Sequence, residues 1–304
     1  MKNIDFAPKS IAHFSNPSHE RRSNLNLNMF VEDLYGGVIP IQANSIDSFS
    51  AKIIGSNEEK VKIMLNSFNR HTEHNNSQLI CDVVQQIAQK LAWNGEAAYE
   101  IMSYRKEDKI NYYLHNFTTR RLFQIPKYYI QAIPISDYDK WGKFLNILPS
   151  DIVWYISMPS QFGGVKEYKK YLKKLKKFKE LNPQFLKDNL YKKGSYFNIN
   201  KYKEEFKIYV EKLFKKIGWN KRDWSSEYKT EFYVVLREVR FSWYQTILRE
   251  YIIDSLNELI ENLNLDCEIS VSGLPTSSDI LKTKKDLIKG EMKLTEVVDY
   301  LMQF

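Results

Sequence analysis

The sequence predicts a helix-rich α+β protein. Three observations predict it: a helical apolar period that begins near Ser77, a block of β-branched and aromatic runs between residues 108 and 157, and almost unbroken helical patterning from Val165 onward. The chain has 304 residues, 43% of them hydrophobic and 14% aromatic, which is enough for one large core or two ordinary ones.

In chain order, residues 1–28 contain "NPSHERRSNLNLN", polar and turn-prone, and are expected to form a flexible arm. Residues 29–55 are broken by "GG" and Pro40 and read as an irregular stretch with strand-like pieces. A helix over 58–70 presents Val61, Ile63, Met64 and Phe68. The next, capped near Asn76 or Ser77, carries Leu79, Ile80, Val83, Val84, Ile87, Leu91 and Ala92 on one stripe. That period extends through "LAWNGEAAYEIM", so Gly95 is expected inside a helix, marking close packing against a neighbour.

"KINYYLHNF", "RRLFQIPKYYIQAIPI" and "DIVWYISM" predict three to five strands, with Pro126, Pro134 and Pro149 placing some of them at edges. "PSQFGG" (159–164) ends this β region. The helix "KEYKKYLKKLKKFKE" puts Tyr168, Tyr171, Leu172, Leu175 and Phe178 on one stripe. "KYKEEFKIYVEKLFKKIG" forms the next, with Gly218 as its C-terminal cap. A helix from about Ser226 to Leu263 would run some 55 Å, far beyond the average globular helix. The strand "CEISVSG" and two short helices, split by Gly290 and with Thr295 capping the last, finish the chain. No repeat of fixed period is present.

The net charge of +8 suits an acidic partner: nucleic acid, an anionic membrane surface or an acidic protein. A Lys-, Asn-, Ile- and Tyr-rich composition also follows from an AT-rich genome. Two distant cysteines, Cys81 and Cys267, argue for a reducing compartment. The N-terminus lacks an apolar h-region, and no run reaches the ~18 apolar residues of a membrane span. A soluble, cytosolic chain with no membrane partner is expected.

Catalytic signatures are missing. Neither G-x-x-x-x-G-K-[ST] nor G-x-G-x-x-G occurs. "HTEH" places His71, Glu73 and His74 together, a metal pair only with ligands from elsewhere and otherwise a solvated link between helices. The acid pairs Glu107/Asp108 and Asp137/Asp139 sit in turn-like surface stretches. No cofactor, no metal and no catalytic residue is expected. What does carry chemistry is positive charge. Lys166, Lys169, Lys170, Lys173, Lys174, Lys176, Lys177 and Lys179 lie on the first basic helix, as a phosphate-neutralising face, as the solvated side of a packed helix or, less well because its apolar stripe is needed for packing, as a membrane-surface helix. Lys215, Lys216, Lys221 and Arg222 form a second cluster with Trp219 and Trp224, which suits backbone or base contact, or a loop anchored by its tryptophans.

Three stretches in order resemble the phage portal protein family. "LAWNGEAAYEI" is similar to the portal's Gly-containing helix end. "SDIVWYISMPSQFGG" followed by a helix looks like the passage from wing strands to stem. "GEMKLTEVVDYL", after a long helix and a strand, resembles the family's G-x-[LM]-T-x-N-E-type element without its Asn. The resemblance spans about residues 29–304 and implies four parts. These are the flexible arm (1–28), an α+β wing part (29–158), a stem-like helical hairpin (159–217), and a tunnel-like loop with a long wing helix of about 37 residues and closing wing elements (218–304). Only residues 181–200 separate the two stem helices, so the clip that docks a packaging motor is reduced.

It further implies a homo-oligomeric ring, commonly of twelve copies, that passes double-stranded DNA without catalysis. Such a ring is assembled in the host cytoplasm and sits at a capsid vertex of the virion, touching capsid protein, with terminase or an adaptor as further partners. The implied DNA-facing residues are Lys166, Lys169, Lys170, Lys173, Lys174, Lys177, Lys215, Lys216, Lys221 and Arg222, with Lys221 and Arg222 foremost. The alternative reading is a basic nucleic-acid-binding protein, monomeric or dimeric, from a mobile element or defence system.

Overall fold

The computed structural model describes residues 7–14, 25–40, 43, 48–68, 75–106, 109–177, 215–220, 222 and 230–302. The chain is α+β and divides into two compact units. One comprises residues 1–18, 38–158 and 248–274, the other residues 19–37, 159–247 and 275–304.

Among the described residues the first unit holds three antiparallel sheets. Strand β1 (Ser50–Gly55) pairs with β8 (Cys267–Ser272), Ile53 opposite Ile269. Strands β2 (Glu96–Lys106), β3 (Lys109–Phe117) and β7 (Val153–Ser157) form a sheet with β2 in the centre. Strands β4 (Leu122–Ile125), β5 (Tyr128–Ala132) and β6 (Leu145–Pro149) form the third. Helices α2 (Glu58–Leu65) and α3 (Asn76–Asn94) pack against these strands, and a single turn, α4 (Tyr138–Trp141), precedes β6.

Helix α3 is capped by Asn75, whose side chain accepts from the Gln78 N–H at 2.7 Å. It ends sooner than its period suggests. Gly95 sits at φ +76, its N–H closing on Leu91 O at 2.7 Å, and the next residue is already in β2. Gly95 is thus a helix stop rather than a packing notch. Its carbonyl accepts from Met158 N at 2.8 Å, which continues the β2–β7 pairing. The helical reading of 96–101 fails for a physical reason. Ala97, Ala98, Tyr99 and Glu100 are all buried, so the N-terminal half of β2 shows no alternation. Tyr99 packs on Phe68 and stacks on Trp154, with ring centroids 5.1 and 5.0 Å apart. Ala98 joins a core with Phe117, Tyr129, Leu148 and Val153.

Part of the expected arm is packed structure. Ser10 N and Lys9 N donate to the Glu100 carboxylate, and Ile11 N donates to Gln131 Oε1 at 2.9 Å. Ile11 and Phe14 are buried with Ile133 beside Trp141. Helix α1 (Leu25–Gly36) begins inside the expected arm and takes the start of the stretch expected to be irregular, whose strand-like piece is β1.

The described residues of the second unit are mainly helical: α1, α5 (Gly164–Lys177), the first half of α6 (Glu231–Asn262), α7 (Ser277–Lys289) and α8 (Leu294–Met302). Helix α6 has 32 residues and starts after Thr230, later than the expected Ser226. Val235 and Val239 on α6 form a core with Ile280, Leu287 and Val297. Thr276 and Asp279 make a full capping box at α7. Thr295 lies inside α8, whose start is held instead by Lys293 N donating to Glu296 Oε2 at 2.9 Å. No described helix is long and apolar enough to cross a membrane.

Candidate nucleic-acid interface

Helix α5 divides sharply by burial. Tyr168, Tyr171, Leu172 and Leu175 are buried, whereas Lys166, Lys169, Lys170, Lys173, Lys174 and Lys176 are exposed. The buried side enters an aromatic cluster around Phe30 of α1, whose centroid lies 5.1 Å from Tyr171 and 5.3 Å from Trp219. Phe162, in the turn before α5, contacts both Tyr168 and Tyr244. Burial pushes the Tyr168 and Tyr171 hydroxyls well above their ordinary pKa, so this side of the helix stays neutral. The lysine face is therefore carried on a firmly anchored helix.

The second basic cluster adjoins the first. A Cβ at Gly163 would lie 3.5 Å from Lys216 Nζ, so this amine sits at the start of α5. Glu167 is the carboxylate among these amines. A hydrogen bond from Lys170 at 2.7 Å, then the charges of Lys170, Lys216 and Lys166, hold its pKa below the ordinary value. Lys215 and Lys216 are exposed, and the Lys215 carbonyl accepts from Arg240 Nη1.

Beyond them the chain turns at Gly218, φ +89, where a Cβ would lie 2.5 Å from Arg237 O. Trp219 is 1% exposed and donates to Asp33 Oδ2 at 2.7 Å, so it anchors the loop rather than offering a stacking surface. Arg222 stands at φ +55, and its Nε donates to Asp33 Oδ1 at 2.7 Å while Glu32 lies 3.4 Å away. The Asp33 hydrogen bond raises the Arg222 pKa further, and the guanidinium charge is met within its own unit. The carboxylates of α1 arrive beside Arg222, one of the two contacts ranked foremost from sequence, and its side chain stays 53% exposed. The simple spacing of Lys166, Lys169, Lys170, Lys173 and Lys174 located the exposed face correctly.

Lys221, the Lys177 side chain, Lys179, Trp224, Glu107/Asp108 and the "HTEH" group lie outside the described residues, as does the 181–200 connection. Among the described residues no group of three or more His, Cys, Asp or Glu is arranged to hold a metal. Asp137 is buried rather than at the surface, unlike its neighbour Asp139. Comparison with known proteins finds no matching family model, no matching curated protein and no matching solved structure.

Proposed function

We propose that this chain is a portal-like ring subunit that conducts double-stranded DNA into and out of a phage or phage-derived capsid and does no chemistry itself. The observation that carries the reading is the exposed lysine face of α5, extended by Lys216 and fixed from behind by the Phe30 cluster. Cations on an anchored helix suit backbone phosphates, which are met without reading sequence. Closed cyclic symmetry turns each lysine into a collar around the duplex. The order strand β7, turn, basic helix, then long helix, strand and two short helices agrees with what the portal resemblance implies. The portal reading names capsid protein as a partner, with a motor or adaptor at the reduced clip.

The lysine face serves a monomeric or dimeric nucleic-acid-binding protein equally well, and this is the second reading. Mass photometry with negative-stain imaging separates the two. A many-membered ring with an axial hole supports the portal subunit. A single chain or pair that shifts short duplexes in a salt-dependent way moves the conclusion to the second.

A further inference from the structure

We propose that the outer face of the β4–β6 sheet and a carboxylate-lined groove beside the end of α6 are the two halves of one head-to-tail interface between copies of this chain. The proposal rests on the ring reading for its closure, but its two surfaces are separate observations on the first unit.

The sheet face comes first. Register aligns Phe123, Ile130 and Ile147 across the three strands, with Ile125 and Tyr128 beside them on the same side. The opposite side holds the buried Tyr129, Gln131, Asn146 and Leu148. Phe123 is 57% exposed, Ile147 54% and Leu145 53%, so a whole apolar sheet face meets solvent. With Ile125 and Tyr128 these side chains offer roughly 500 Å², over half of the ~800 Å² that each partner buries in a standard interface.

The rim of that face is cationic. Arg121 and Lys127 stand at φ +59 and +67, before and after β4. Their carbonyls are tied into the sheet, accepting from Ala132 N at 3.0 Å and Ser150 N at 2.9 Å. A non-glycine residue in this conformation costs on the order of 1 kcal/mol, yet both positions keep an exposed cation where glycine would be cheaper.

The complement lies on the same unit. Asp254, Glu258 and Glu261 follow one another at i, i+4 and i+7 on α6, Asp266 directly precedes β8, and Glu268 lies within it opposite Ile54. Together they line an open groove of about 820 Å³ beside Ile54, which is 57% exposed. The described lining includes no Lys or Arg. Like charges at i, i+4 destabilise a helix, so a cationic partner relieves the stripe. A two-fold pairing of sheet faces would set the Arg121 and Lys127 rims against each other. Docking a basic-rimmed apolar face on an acidic groove with its own apolar side chain removes that repulsion. Two different patches on one chain make the contact heterologous, the kind that closes into rings.

The test uses the full chain without DNA, by mass photometry at low and high salt. The sheet variant carries Arg121→Glu and Lys127→Glu, and the groove variant carries Glu258→Lys and Glu261→Lys. Wild type is expected to assemble beyond two copies. Each variant alone should assemble at least about tenfold more weakly, and an equimolar mixture should recover species larger than a dimer, because reversed charges then face each other. All four positions are exposed, so circular-dichroism melts should match wild type; should one reversal unfold the chain, the Gln versions must still weaken assembly several-fold. Assembly unchanged in both variants overturns this interface while leaving the ring reading intact. A wild-type chain that stays single at every concentration and salt overturns both. Recovery in the mixture of species larger than a dimer upholds the interface.

Discussion

Glu100 accepts the backbone N–H of Ser10 at 2.8 Å, joining the centre of β2 to a segment ninety residues earlier in the chain. The carboxylate is 4% exposed and also takes the Lys9 N–H at 3.1 Å. Gln131 and Asn146 extend the clamp, the latter donating to Lys9 O at 2.7 Å. Removing the carboxylate leaves two donors without it. Glu100→Ala should therefore destabilise the protein by about 1.5–3 kcal/mol in urea unfolding. Cleavage within residues 7–14 by a nonspecific protease should accelerate, and Glu100→Gln, which keeps one acceptor oxygen, should fall between. Equal protease resistance in all three proteins would show that the apolar contacts of Ile11 and Phe14 hold the segment by themselves.

Gly95 is the hinge between α3 and β2, and its φ of +76 is the reason for its identity. Gly95→Ala should cost about 1–2 kcal/mol in thermal or chemical unfolding, the penalty of a left-handed L-residue. A neutral result would show that the helix end relaxes to another conformation.

Lys90 on α3 is half-buried, and desolvation lowers its amine pKa from 10.5 to about 8. The folded value lies below the unfolded one, so the penalty on the ammonium is fully present below pH 8 and is relieved as pH rises toward 10.5. The Tyr99 ring, 4.6 Å away, offsets part of it by ~1–2 kcal/mol. Lys90→Met should raise stability at pH 7 by about 1 kcal/mol, a Tm gain of roughly 2 °C, and the gain should shrink toward pH 10. A Tm loss at pH 7 would mean that the ring contact outweighs burial.

The basic surface divides into two testable classes. Replacing Lys166, Lys169 and Lys173 with Gln should lower the slope of log K against log salt for duplex binding by about 2.7. Arg222→Ala should leave that slope unchanged and cost roughly 0.5 kcal/mol, because the guanidinium spans Asp33 and Glu32 at the surface. An Arg222 effect on the slope as large as that of the lysines would return it to the DNA-facing set.

Much of the architecture is already written in local pattern. The stripe of Tyr168, Tyr171, Leu172 and Leu175 between lysines determines α5 and its exposed face, because a helix with one apolar side has one way to bury it. The strands from 109 to 157, the strand at Cys267–Ser272 and the helices split by Gly290 are legible for the same reason. Tertiary structure decided what period does not encode. Residues 96–100 look helical because both faces of β2 are covered, and only the backbone at Gly95 separates helix from strand. Residues 7–14 look loose because their hydrogen-bond partners, Glu100, Gln131 and Asn146, lie about ninety residues or more away. Arg222 looks available until α1 brings Asp33 beside it. Sequence pattern records what a residue does with neighbours three or four places off, whereas pairing across long separations depends on how the chain closes.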